Sequence, residues 1–186
     1  MKIIGITGSI ASGKTTVAHL MAGKRYPLFS ADIIVSNLYK KKSFKKILVK
    51  KFNLSNKEEI KDQIKLIIKY NKNNLYKLES IIHPFVRKEM KKFLRKKNKL
   101  LFLEIPLLIE SKLNKYFDKL IFVGAKKNLR LKRYLKKKGD RKTFNLLDKR
   151  QLSPALKKNI CNHTINNNYS LVILKKNVKN FIKKYE

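Results

Sequence analysis

Between an apolar run at residues 2–7 (Lys-Ile-Ile-Gly-Ile-Thr) and a helical pattern beginning at Lys14 lies the octapeptide Gly8-Ser9-Ile10-Ala11-Ser12-Gly13-Lys14-Thr15, a full match to G-x-x-x-x-G-K-[ST]. No other segment constrains the fold as strongly. Consecutive backbone N–H groups converge on phosphate oxygens only where glycines keep side chains out of the way, and a helix N-terminus facing the anion adds its partial positive charge. The motif therefore requires strand, loop and helix in that order, and Val17, Leu20 and Met21 continue at helical spacing. Gly8, Ala11, Ser12, Gly13, Lys14, Thr15 and Thr16 become candidates for holding the phosphates of ATP. Lys14 would reach the outer phosphates, and Thr15 would offer its hydroxyl to Mg²⁺.

The rest of the chain extends this beginning. Short strands near 28–30, 100–104, 119–123 and 163–165, the middle two of them apolar runs, alternate with helical patterns, which predicts an α/β fold: a P-loop NTPase-type parallel sheet flanked by helices. Residues 42–80 read as lysine-rich helical segments with a stripe of Ile60, Ile64, Ile67 and Ile68. A new helix is expected to start at His83-Pro84, with the proline in its first turn. Residues 125–138 and 144–151 read as helices, and Leu171, Leu174, Val178, Phe181, Ile182 and Tyr185 mark a closing one. At 186 residues the chain fits one domain, and the single Cys161 has no partner within it, so a cytoplasmic protein without disulfides or membrane spans is expected.

The net charge of +35, from 47 Lys+Arg against 12 Asp+Glu, invites a nucleic-acid reading. The excess is mostly lysine spread along the whole chain, however, rather than an arginine-rich patch interleaved with aromatics. It fits a lysine-, isoleucine- and asparagine-rich composition acting on polyanionic small molecules, with no specific nucleic acid. Among phosphate-loop proteins, the chain lacks an N-K-x-D guanine-reading motif and a D-x-x-G switch after a strand. A small-molecule kinase with a mobile lid over ATP fits better.

Such a kinase needs a base, a metal-holding acid and cations for the transferring phosphoryl group. Asp32 follows the second strand at the ligand-binding edge of a parallel sheet and suits the base, or else caps a helix over 33–39. Glu104 ends the third strand and is placed either to hold Mg²⁺ through water or to cap. Arg130, Arg133 and Lys137 share a helix face, with Arg141 in the turn beyond; arginine is the minority cation here and suits phosphate. His83 and Arg87, four apart, are suited to an anionic acceptor, with a structural cap as the alternative for the histidine.

Four motifs carry a resemblance to the dephospho-coenzyme A kinase family over nearly the whole chain. Thr7 to Thr16 is similar to T-G-G-I-G-S-G-K-S-T, and Ala31-Asp32-Ile33-Ile34 resembles D-A-D-x-I. Leu78 to Pro84 resembles L-E-x-I-x-H-P, and Glu104-Ile105-Pro106-Leu107-Leu108-Ile109-Glu110 resembles D-x-P-L-L-x-E. Gln151, Lys157 and the Ile165-Asn166-Asn167 segment sit at spacings like those of Q-x(5)-K and D-x-V-I-x-N. The resemblance implies transfer of the ATP γ-phosphate to the ribose 3′-hydroxyl of dephospho-CoA. It also implies a core over about 1–40, 99–125 and 160–186, a helical CoA subdomain over about 41–98 and a lid over about 126–159. Asp32 then takes the base position, and Lys61, His83, Arg87 and Glu110 join it at the acceptor. Lys14, Arg133 and Arg141 serve catalysis, Asn167 lies at the ATP, and Thr15 and Glu104 hold Mg²⁺ partly through water. ATP and dephospho-CoA are the expected partners, for a monomer or weak homo-oligomer. Three departures stand out: Ser30 replaces the first acid of D-A-D, Ser9 and Ala11 replace loop glycines, and Lys61 replaces an arginine.

Overall fold

Five parallel strands form the sheet of the computed structural model, which describes residues 1–55 and 58–185. They are β1 (Lys2–Gly8), β2 (Leu28–Ser30), β3 (Leu100–Glu104), β4 (Lys119–Gly124) and β5 (His163–Asn166), in the order β2-β3-β1-β4-β5. β1 is flanked by β3 and β4 in registers Ile6↔Glu104 and Gly8↔Val123, while Ser30 lies opposite Glu104 and Asn166 opposite Gly124. The carboxyl ends of all five strands thus open on one edge, where parallel sheets bind ligands.

Alternation along the strands builds the core. Ile4 and Ile6, Leu100 and Phe102, and Ile121 and Val123 share one cluster with Val17, Ala18 and Met21 of α1 (Lys14–Ala22) and Leu174, Val178 and Phe181 of α9 (Leu171–Ile182). Period-two side chains meet period-3.6 stripes there, which is why two helices cover this face. Three helices lie between β4 and β5: α6 (Lys127–Lys136), α7 (Arg141–Arg150) and α8 (Pro154–Ile160). Their starts follow local chemistry. Asp140 accepts from Thr143 N–H at 2.9 Å to cap α7, so that helix begins three residues before the expected 144. Ser153 caps α8, with Pro154 in the first turn.

By contact the chain divides into two compact units, Ala31–Arg95 and the remainder (Met1–Ser30 with Lys96–Glu186). The helical unit holds α2 (Ala31–Leu38), α3 (Lys42–Phe52), α4 (Ile60–Tyr70) and α5 (Asn73–Phe93). Its core of Leu38, Phe44, Leu48, Ile60, Ile64 and Leu78 centres on Phe44, whose ring meets Tyr39 and Phe85 edge-on at 5.5 Å each.

The expected helix start at His83-Pro84 is corrected: α5 runs unbroken through both residues. Pro84 removes the N–H that would bond the Ser80 carbonyl, yet both residues are solvent-exposed, where water satisfies that carbonyl. Leu78, Ile81, Ile82, Phe85, Val86 and Met90 bury a stripe on both sides of the proline, and that burial outweighs the lost bond. Among the described residues no helix is long and apolar enough to cross a membrane.

Candidate functional site

The phosphate loop occupies the turn from β1 to α1. Gly8 is pressed against the Val123 carbonyl so closely that a Cβ there would overlap it. Gly13 has φ 91° and Ala11 φ 55°, both left-handed, whereas Ser9 is not among the positive-φ residues. Of the two replaced glycines, only Ala11 therefore carries backbone strain, of order 1 kcal/mol. Lys14 is 8% exposed, its ammonium donating to the Ser9 carbonyl at 3.0 Å, which arches it back over the loop.

Glu104 is the polar centre beside this loop. Its carboxylate is 1% exposed; Oε1 accepts from Thr15 Oγ1 at 2.7 Å and Oε2 from Ser30 Oγ at 2.9 Å. As the last residue of β3 it caps no helix, so that alternative falls. Ser30, read from sequence as a lost carboxylate, instead orients the one that remains. Two hydroxyls and a carboxylate are hard oxygen donors of the kind Mg²⁺ takes. No cluster of three or more His, Cys, Asp or Glu able to hold a metal exists among the described residues. A single carboxylate with hydroxyls fits a cation that keeps waters and is shared with substrate phosphates.

Asn167, the buried residue that follows β5, also contacts this loop. Its Nδ2 donates to the Ser12 carbonyl at 2.9 Å, and its own carbonyl accepts from Arg133 Nη2 at 3.0 Å. Arg133 Nη1 makes a longer contact, 3.5 Å, with the Ser12 carbonyl. Desolvation lowers the pKa of this guanidinium, which nevertheless stays charged at neutral pH. Arg133 is thus a cation held against the phosphate loop.

The expected three-cation face does not survive. Arg130 is buried, its Nη1 paired with Asp148 at 2.6 Å and its Nε donating to the Ala125 carbonyl at 3.1 Å. Lys137 is the exposed residue that follows α6, and Arg141 is the exposed first residue of α7. Glu110, expected at the acceptor, has internal partners here. Oε1 is ion-paired with the fully buried Lys157 at 2.8 Å and accepts from Leu152 N–H at 2.9 Å, which fastens α8.

Within the helical unit, Asp32 is exposed in the first turn of α2, inside the helix rather than at its cap. α2 packs against α5, which carries half-buried His83 and exposed Arg87 one turn apart. Lys61 lies over the Tyr39 ring at 5.2 Å, beside a small cavity also lined by Lys40, Lys45, Glu59 and Ile60. Burial raises the pKa of the Tyr39 phenol.

Cys161 closes α8 next to the Glu110–Lys157 pair. Burial pushes its thiol up to about 11, the downward pull of Lys157 being the smaller effect. A thiol of that pKa is almost wholly protonated at pH 8, so alkylation by iodoacetamide should run at least about tenfold slower than for a free cysteine. Unfolding in guanidinium should abolish the difference, as mass spectrometry of timed samples would show.

The family model and the curated relatives agree on one family. The sequence model for dephospho-CoA kinase matches residues 2–172. The chain is 35% identical to the dephospho-CoA kinase of Fusobacterium nucleatum subsp. nucleatum, with 96% of each chain covered, and 35% identical to that of Bartonella henselae, with 85% of each covered. Among solved structures it is similar to the protein TT1252 from Thermus thermophilus, with TM-score 0.79, 27% identity, and 98% and 97% of the two chains covered. Shikimate kinase from Acinetobacter baumannii shares the fold alone, with TM-score 0.57, 15% identity, and 99% and 92% covered.

Proposed function

Because this chain belongs to the dephospho-CoA kinase family, we propose a division of labour among its residues for that family's reaction. The reaction is the ATP-dependent phosphorylation of dephospho-CoA, the final step of coenzyme A biosynthesis. The observation that carries the assignment of roles is the convergence of Thr15 and Ser30 on buried Glu104 beside the phosphate loop.

The backbone of residues 8–16 binds the ATP phosphates, with Lys14 swinging from the Ser9 carbonyl to the outer ones. Thr15 and Glu104 would hold Mg²⁺, which when bound offsets charge on the phosphates. Asp32, in the first turn of α2, accepts the proton of the acceptor's 3′-hydroxyl as that oxygen attacks the γ-phosphorus and ADP leaves. Lys61, His83 and Arg87 meet the anionic acceptor on the helical unit. Arg133 supplies positive charge at the loop.

Arg141 supplies more charge from a lid formed by α6 to α8. A cation in the first turn of a helix opposes the helix dipole, a local cost that phosphate binding would offset. Asn167 braces the loop at the ATP site. The enzyme works in the cytoplasm on these small molecules, with neither nucleic acid nor membrane as a specific partner.

A coupled assay of ADP release tests the reading. With ATP, Mg²⁺ and dephospho-CoA, release should exceed the acceptor-free rate many-fold and yield coenzyme A. Equal rates with and without the acceptor would overturn it.

A further inference from the structure

We infer that Gln151 is a positioning residue for the ATP site: through the backbone of Ile10 it fixes the phosphate loop in its binding shape. The inference rests on the assignment of residues 8–16 to ATP, not on the identity of the acceptor.

Ile10 is held at both of its peptide groups. Its N–H donates to Gln151 Oε1 at 2.8 Å, and its carbonyl accepts from Arg130 Nη1 at 3.3 Å. The next residue is Ala11, which has the left-handed φ of 55° without being a glycine. An alanine held there relaxes toward negative φ unless its neighbours are fixed. Turning that one peptide would re-aim the amides after it, which face the phosphates. Two bonds on the preceding residue are the restraint that opposes it.

Gln151 is itself rigidly seated. It follows the last residue of α7, and the next residue, Leu152, donates its N–H to Glu110 Oε1 at 2.9 Å. Glu110 is locked by Lys157, which is 0% exposed. Arg130 is likewise locked, by Asp148 at 2.6 Å. A chain of buried and part-buried bonds therefore runs from the segment after β3, through the α7–α8 junction, to the phosphate loop. This explains why Glu110 is spent on an internal ion pair.

The test uses the full-length enzyme and isothermal titration with ATP in the presence of Mg²⁺, which needs no acceptor. Gln151→Leu keeps the bulk of the side chain and deletes the acceptor oxygen. It should raise the Kd for ATP about tenfold, equivalent to about 1.4 kcal/mol. The KM for ATP should rise similarly, with kcat at saturating ATP and the KM for dephospho-CoA within about threefold of the parent. Gln151→Glu keeps an oxygen in place and should return the Kd to within about threefold of the parent.

Unchanged ATP affinity in Gln151→Leu, or a loss in Gln151→Glu as large as in Gln151→Leu, would overturn the inference. If Gln151→Leu does not fold by circular dichroism, Gln151→Asn replaces it, because that change withdraws the oxygen by one methylene. Its expected and overturning results are the same. A parent enzyme that binds ATP but shows no acceptor-dependent turnover would sink the acceptor assignment alone, and the titrations would still decide this one.

Discussion

Asp32→Asn is expected to lower kcat by roughly 10²–10⁴-fold, the usual loss when a general base is removed, while the Kd for ATP stays within about twofold of the parent. Asparagine matches the aspartate in size, and the side chain is exposed in the first turn of α2, so no core packing is disturbed. The interaction of this charge with the helix N-terminus contributes about 0.3–1 kcal/mol of stability. A fall in turnover with ATP affinity and melting temperature both preserved can therefore be read as chemistry. Stopped-flow measurement of the first turnover, alongside titration with ATP, separates the two. If turnover survives within about threefold, Asp32 is a helix-end charge with no part in proton transfer.

How much of this was legible beforehand depended on whether a feature is local. The phosphate loop was readable because its chemistry is written in consecutive residues: Gly13 and Lys14 adopt at the start of α1 what the motif demands. β1, β3 and β4 were readable for a similar reason, since each is a short, mostly apolar run, and β2 spans the anticipated 28–30.

Pairings between distant residues were not legible. Ser30 looked like a missing acid because nothing in the chain reveals that β2 lies beside β3 with Ser30 opposite Glu104. Arg130 and Arg133 look alike on a helical wheel. Only tertiary packing buries the first against Asp148 and leaves the second beside the Ser12 carbonyl. Gln151 carried a visible spacing but no visible task, because its partner is a backbone N–H 141 positions earlier. Pro84 misled in another way: a local rule that usually starts a helix lost to a buried stripe running past it on both sides.

Gly13→Ala should abolish measurable ATP binding, raising Kd by more than about 100-fold, and should also lower the melting temperature. The backbone at Gly13 has φ 91°, beyond the narrow left-handed well that an L-residue tolerates, and Ala11 already occupies such a well at φ 55°. Sterics add to this. A Cβ at position 13 would overlap the Asn167 side-chain amide, which is buried and bonded to the Ser12 carbonyl. To admit the methyl, either Asn167 leaves that carbonyl unpaired in a buried place, costing about 1–3 kcal/mol, or the loop turns its peptide away. The first route also gives up the 3.5 Å contact of Arg133 Nη2 with Asn167 Oδ1, leaving that cation held by the Asn167 backbone carbonyl. The second misdirects the amides meant for phosphate.

The routes differ in measurable ways. Asn167→Ala in the Gly13→Ala background makes room for the methyl. Partial recovery of the melting temperature without recovery of ATP binding would assign the lost stability to the clash and the lost affinity to the backbone angle. Parent-like affinity in Gly13→Ala alone would mean that the loop binds ATP in a shape other than the one described.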